Sequence, residues 1–341
     1  MQLLEEARSL HVPALRQAVD RLIEPLKTIA GYQLGWVDAR GRPASGSEGK
    51  TVRLALVMLS AQAVGAAPAS SVPGGVAIEL VHNFSLLHDD FMDQDVTRRH
   101  RPAAWVVFGA AQAILAGDAL QALAADALLN LPASCVTESS RARASTRLSD
   151  AVCHLIGGQA RDLAYERRDL ISVQECLEME AGKTSALLAC ASSMGAVLAG
   201  ASDATVEPLG RYGHHLGLAF QAVDDLLDIW GDPAVTGKPI WGDLRRGKKS
   251  LPVCFALNEG GAASEQLTEL LTGPQPADLD EEQLALRAFL IEKAGGRAWA
   301  NNEAQYHHES ALAALRELEA MPEKVHEHLV ALTKFVIHRN W

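Results

Sequence analysis

The chain has 341 residues, 48% of them hydrophobic and 21% charged, which is enough apolar material for a large core. Its formal charge of −11, from 42 acidic and 31 basic residues, argues against a general nucleic-acid binder. The 5 cysteines include no CxxC pair, so they outline neither a zinc site nor a disulfide framework and favour a reducing, cytoplasmic compartment; Cys153, Cys190 and Cys254 lie in apolar runs and are expected to pack in the core.

Helical periodicity dominates from the start. Leu3, Leu4, Leu10, Leu15, Val19, Leu22 and Ile23 mark an amphipathic region with an interruption expected near Pro13. Its first turns are acidic, unlike the basic n-region of a secretory signal. Residues 35–50 read as a loop. Helical patterns follow over 50–65, 75–92 and 110–131, then a polar connection over 132–145. Helices resume over 146–166, 173–198, 202–231, 249–257, 281–318 and 323–338. Residues 258–281, rich in Gly, Pro, Ala and Asp, read as a surface excursion. A long uncharged stretch, 184–201, contains a Ser-Ser pair and is marginal for a membrane span, so a buried central helix is expected there. No strand alternation, hairpin signal or fixed repeat is present. The predicted class is all-α, with one domain over residues 1–341, because no Pro/Gly/Ser-rich linker divides the chain.

Two clusters carry the chemistry. LLHDDFMDQD contains Asp89, Asp90 and Asp93; FQAVDDLLDIWGD contains Asp224, Asp225 and Asp228. In a helix the first and third carboxylates of each cluster stack one turn apart. Carboxylates so crowded raise one another's pKa unless a cation compensates them. Mg²⁺ fits, because it takes oxygen ligands and is commonly shared between one or two carboxylates and a substrate phosphate. A solvated acidic face explains one such motif alone, but two copies, each followed by basic residues, point to a diphosphate. Arg98, Arg99 and Arg101 follow the first cluster, and guanidinium matches phosphate as a bidentate fork. Lys50 and Arg53 sit at a helix start, where a bound anion would offset the unfavourable positive charge. Lys183 and Thr184 head an apolar helix, and Gln221 shares a face with Asp224 and Asp225. After the second cluster, Lys238, Asp243, Lys248 and Lys249 lie in a glycine-flanked basic loop.

From GSEGKTVR to GKKSLP, these segments and their order resemble the trans-isoprenyl diphosphate synthases, which make geranyl, farnesyl and geranylgeranyl diphosphates. The resemblance implies a bundle of long, mostly antiparallel helices around a deep cavity, normally a homodimer without a membrane span. It implies Mg²⁺ held by Asp89, Asp93 and Asp224, about three ions when a diphosphate is bound, with Asp90, Asp225 and Asp228 in support. Lys183, Thr184, Gln221, Lys238, Lys248 and Arg98 match positions that hold an allylic diphosphate. Lys50, Arg53, His82 and Arg99 match those that hold isopentenyl diphosphate. One departure is Leu54, where the family commonly has proline. The implied reaction is head-to-tail prenyl transfer through an allylic cation.

A class I terpene cyclase shares the fold, but its second metal motif is usually of Asn/Ser/Glu type, unlike DDLLD here. Head-to-head squalene or phytoene synthesis fits the arginines and GKT less well, and intact motifs argue against a non-catalytic partner subunit. For chain length, Phe84 lies five residues before Asp89, roughly 7–8 Å along the helix axis, and Ser85 is small. In the resembling family that pattern, without an insertion in the first motif, goes with geranylgeranyl diphosphate; farnesyl diphosphate is second.

Overall fold

The apolar spacing that marks helices in the sequence produces them almost everywhere. The computed structural model describes residues 2–44, 51–132, 136–233, 240–273, 279–318 and 320–337. The order is α1 (Gln2–Val19), α2 (Leu26–Gln33), α3 (Val52–Ala63), α4 (Val72–Met92), α5 (Ala104–Phe108), α6 (Ala110–Leu129), α7 (Glu138–Tyr165) and α8 (Val173–Glu180). A π-helical turn, Ala181–Ser185, leads into α9 (Ala186–Leu198), which is followed by α10 (Asp203–Trp230). Further helices cover Gly242–Arg246, Leu251–Asn258, Gly261–Thr272, Glu281–Lys293, Gly296–Arg316 and Glu323–Ile337. The class is all-α.

The residues group into two compact units. The first comprises residues 1–152, 187–210 and 317–329. There α4 packs along α6, with α1 and α3 also against it. α1 runs through Pro13 without interruption, because Ala7, His11, Leu15 and Val19 keep one buried face at helical spacing. Among the described residues, α6 alone is long and apolar enough to cross a membrane by length and composition. Its Ala113, Ala116, Gly117, Leu120, Leu123, Ala124 and Leu128 are buried instead. α9, a long uncharged stretch of the sequence, is buried nearly throughout, and Gly195 explains how it lies so close to α3. Its backbone N–H donates to Ser60 Oγ at 2.9 Å, and a Cβ there would meet the Val57 carbonyl oxygen at 2.2 Å.

The second unit comprises residues 153–186, 211–316 and 330–341. Its core gathers Ile229, Leu244, Val253, Leu267, Leu284 and Ile291. A second cluster joins Ile171, Cys176, Met179, Val223, Leu251 and Cys254. α8 opens with a capping box in which Ser172 and Glu175 satisfy each other's backbone N–H groups.

Several expectations need correction. A hairpin pairs Thr97–Arg98 with Arg101–Pro102, although the segment carries no hairpin signal in its sequence. The polar connection is shorter than expected, since α7 starts at Glu138. Gly261–Thr272 is helical where a surface excursion was expected, because Leu267 closes onto the core beneath the polar residues. The helix expected over 281–318 breaks at Gly295, whose φ of +86° suits glycine. Cys190 and Cys254 are buried, but Cys153 is exposed, on the outward face of its helix.

Candidate active site

Both aspartate clusters sit at the C-terminal ends of helices. Asp89 and Asp90 fall in the last turn of α4, Asp93 is its C-cap, and Asp224, Asp225 and Asp228 occupy the last two turns of α10. Neither helix has a basic residue in its final turn. The helix dipole and three carboxylates therefore add negative potential at the same place, contrary to what stabilises a helix alone. A hard cation relieves that conflict.

The members of each cluster are not equivalent. Asp89 and Asp93 are half-buried, whereas Asp90 is 1% exposed and accepts from Arg98 Nε at 2.7 Å and also from Nη2. Burial raises the Asp90 carboxyl and Arg98 opposes that shift. In the second unit Asp224 is half-buried, but Asp225 is 2% exposed. Asp225 accepts Gln221 Nε2 at 2.7 Å and the Leu251 N–H at 2.8 Å, so it caps the helix Leu251–Asn258. Burial pushes its carboxyl up, with Glu180 adding to the effect. Asp228 accepts the Asp243 N–H at 3.1 Å, and burial, with Asp243 nearby, raises it to about 7. The middle aspartates thus hold protein groups, Asp90 the Arg98 guanidinium and Asp225 the Gln221 amide and the Leu251 N–H.

The described residues contain no group of three or more His, Cys, Asp or Glu side chains placed to hold a metal by themselves. Mg²⁺ commonly rests on one or two carboxylates and completes its shell with water and substrate oxygens. Asp89, Asp93 and Asp224 offer hard oxygen donors at helix C-termini, the chemistry such an ion requires.

In the first unit a cationic cluster forms around the α4 end. Arg53, in the first turn of α3, lies 3.4 Å from His82 Nε2. Burial lowers His82 well below its ordinary value, and Arg53, Arg99 and Arg98 lower it further, so the ring is neutral beside the guanidiniums. Burial also lowers Arg53 and Arg99. Arg99 and His100 form the hairpin turn with φ of 52° and 61°, a left-handed backbone that costs energy in non-glycine residues and recurs where side chains must be aimed. Other groups fasten the hairpin. Tyr32 Oη donates to the Pro102 carbonyl at 2.7 Å, Arg101 donates to the Val37 carbonyl at 2.9 Å and lies over the Tyr32 ring, and Trp105 Nε1 donates to the Asp95 carbonyl at 2.8 Å. Arg98, Arg99 and Arg101 line a pocket with Tyr32, Gln33 and Gly35.

The second unit holds the other basic group. Lys183 and Thr184 lie in the π-helical turn, a distortion frequent at functional sites. Thr184 Oγ1 donates to Gln221 Oε1 at 2.9 Å, linking the turn through Gln221 to Asp225. Lys183 Nζ meets Asp162 at 2.5 Å, and Lys248 Nζ lies 3.6 Å from the same oxygen. These residues line one pocket with Glu180, Asp243, Lys249 and Ser250. Sequence reasoning missed Asp162 and Glu180. Lys50 and Lys238 lie outside the described residues.

Glycine explains how the turn and α7 approach. A Cβ on Gly158 would meet the Lys183 backbone nitrogen at 2.2 Å, and one on Gly182 would meet the His154 carbonyl at 2.8 Å. Gly157, next to Gly158, faces open space. Gly158→Ala is expected to cost about 1–3 kcal/mol through overpacking and to reduce turnover by moving Lys183. Gly157→Ala should be neutral or stabilising through helix propensity. Calorimetric melting and initial rates of both variants check this; equal effects would remove the close approach as the cause.

Phe84 and Ser85 are both buried on α4. Phe84 meets His88 edge-to-face with centroids 4.9 Å apart. His88 Nε2 lies 3.0 Å from the Ile114 carbonyl on α6, where Gly117 leaves room for its ring. Ser85 Oγ donates to the His82 carbonyl at 2.9 Å.

The polyprenyl synthetase family pattern matches residues 36–288. A (2E,6E)-farnesyl diphosphate synthase of Mycobacterium tuberculosis is 46% identical over 98% of this chain and 92% of its own. A geranylgeranyl diphosphate synthase of the same organism is 44% identical over 99% of this chain and 93% of its own. The crystal structure of a polyprenyl synthetase from Streptomyces coelicolor A3(2) superposes with a TM-score of 0.93 at 56% identity, covering 98% of this chain and 99% of that one. The chain belongs to the polyprenyl synthetase family, the trans-isoprenyl diphosphate synthases.

Proposed function

We propose that this enzyme condenses isopentenyl diphosphate head-to-tail with allylic diphosphates and stops at geranylgeranyl diphosphate. Short-chain prenyl transfer is the activity named for the farnesyl and geranylgeranyl diphosphate synthases it resembles, and dependence on Mg²⁺ is a property of the family. The observation that carries the reading is the pairing of carboxylate-loaded helix ends with nearby lysine and arginine clusters. Anions and cations in that arrangement suit a metal-bridged diphosphate and little else.

Asp89, Asp93 and Asp224 would hold the Mg²⁺ ions, about three per site when diphosphate is bound. Those ions, when bound, neutralise the charge that develops on the leaving diphosphate. Lys183, Lys248 and Lys238 bind the leaving diphosphate and stabilise it as it departs. Thr184 and Gln221 orient that end of the substrate, held in place by Asp225. Arg53, neutral His82, Arg99 and Lys50 hold isopentenyl diphosphate, whose double bond attacks the allylic cation. That attack leaves a tertiary cation, which loses a proton from the adjacent carbon to the released diphosphate and so forms the new allylic double bond; no side-chain base is required. Water must be excluded because it would quench the cation. The same reading takes the whole chain as one catalytic domain, a cytoplasmic homodimer, which sedimentation of the purified protein would test.

Product length rests on Phe84, with farnesyl diphosphate as the second reading because relatives of both kinds match almost equally well. Phe84→Ala should lengthen the products and Ser85→Phe should shorten them, read by chromatography of dephosphorylated prenols. An unchanged profile in both folded variants would leave the geranylgeranyl assignment without support.

A further inference from the structure

Asp162 has no part in the scheme above. It is 7% exposed, lies on α7 one turn after Gly158, and brings its Oδ2 to Lys183 Nζ at 2.5 Å and to Lys248 Nζ at 3.6 Å. Glu180, 5% exposed, lines the same pocket. A buried carboxylate between the lysines works against tight binding of an anion, because it repels the ligand. The close approach of Gly158 to the Lys183 backbone shows that the placement is built into the helix packing.

We propose that Asp162 is a positioning residue that gathers Lys183 and Lys248 and limits how tightly they retain the released diphosphate. The proposal rests on the reading that this pocket takes the allylic diphosphate. Two ammonium groups fixed beside one another repel, and a shared carboxylate holds them together without a ligand. When diphosphate arrives, the ammonium groups turn part of their charge to it while Asp162 remains within reach. When the product diphosphate must leave, Asp162 competes for the same two cations. The residue therefore favours a prepared site and a released product over a tightly held one.

The test uses Asp162→Asn, which keeps shape and removes charge. Calorimetric titration with inorganic diphosphate, with and without Mg²⁺, should show affinity increased roughly tenfold or more, and kcat should fall as release slows. The KM for isopentenyl diphosphate should stay within about twofold, since one order of magnitude would need about 1.4 kcal/mol of lost binding. Asp162→Glu, which keeps the charge, should hold diphosphate affinity near wild type. Asp162→Ser is read in the same way if the asparagine variant does not fold. Equal or weaker diphosphate binding in a folded, charge-free variant would overturn the proposal. A merely structural residue would instead lower affinity and melting temperature together. Lys183→Met serves as the control: if it leaves diphosphate affinity unchanged, the reading of the pocket itself fails.

Discussion

Asp89→Ala should lower kcat by roughly 10³-fold or more, equivalent to about 4 kcal/mol of transition-state stabilisation, while the melting temperature barely moves. Asp89 sits half-buried at the C-terminal end of α4, where removing a negative charge does the helix no harm. What is lost is a ligand for the ion that compensates the leaving diphosphate. Asp224→Ala should behave alike. Asp90→Ala provides the contrast. That carboxylate is buried on Arg98, so its removal should cost about 1–3 kcal/mol of stability as well as activity, by stranding the guanidinium. Initial rates across a Mg²⁺ series, with calorimetric melting, separate the neighbours. Near-normal turnover in folded Asp89→Ala would remove it from the metal site.

The second large effect divides the two diphosphates. Lys183→Ala should lower kcat by about 10²-fold with little change in the KM for isopentenyl diphosphate, because the lysine acts on charge that appears as the bond breaks. Arg53→Ala should chiefly raise that KM, by about tenfold or more, because it binds a group unchanged in the reaction. The grouping of Arg53 with His82 and Arg99, and of Lys183 with Thr184, Gln221 and Lys248, supports the partition. Swapped effects, or the same effect from both, would refute it.

Particular residues show what the sequence makes legible. Asp89 and Asp224 stand out because two carboxylates at helical spacing in apolar surroundings conflict with ordinary folding and demand a partner. Asp162 sits among the charges of GGQARDLAYERRD and looks like solvated helix surface. The available signal is the double glycine. A mid-helix glycine marks a close approach, and the residue one turn on then faces the approaching element. The π-helical turn at Lys183 adds a residue to the helical period, and the single Gly182 within it does not distinguish such a turn from ordinary helix. The 97–102 hairpin escapes for a related reason, since its left-handed turn is made by Arg99 and His100 rather than Asn-Gly. The helix Gly261–Thr272 hides behind flanking glycines although Leu267 and Leu270 keep helical spacing.

The central claim is head-to-tail transfer onto isopentenyl diphosphate, and one assay tests it most directly. Purified wild-type protein is incubated with radiolabelled isopentenyl diphosphate and geranyl or farnesyl diphosphate, with Mg²⁺ or with chelator, and the products are sized. The account predicts label in geranylgeranyl diphosphate from either primer, only with the metal present. No incorporation of label from any primer, or release of a cyclic hydrocarbon from the allylic substrate alone, would contradict it.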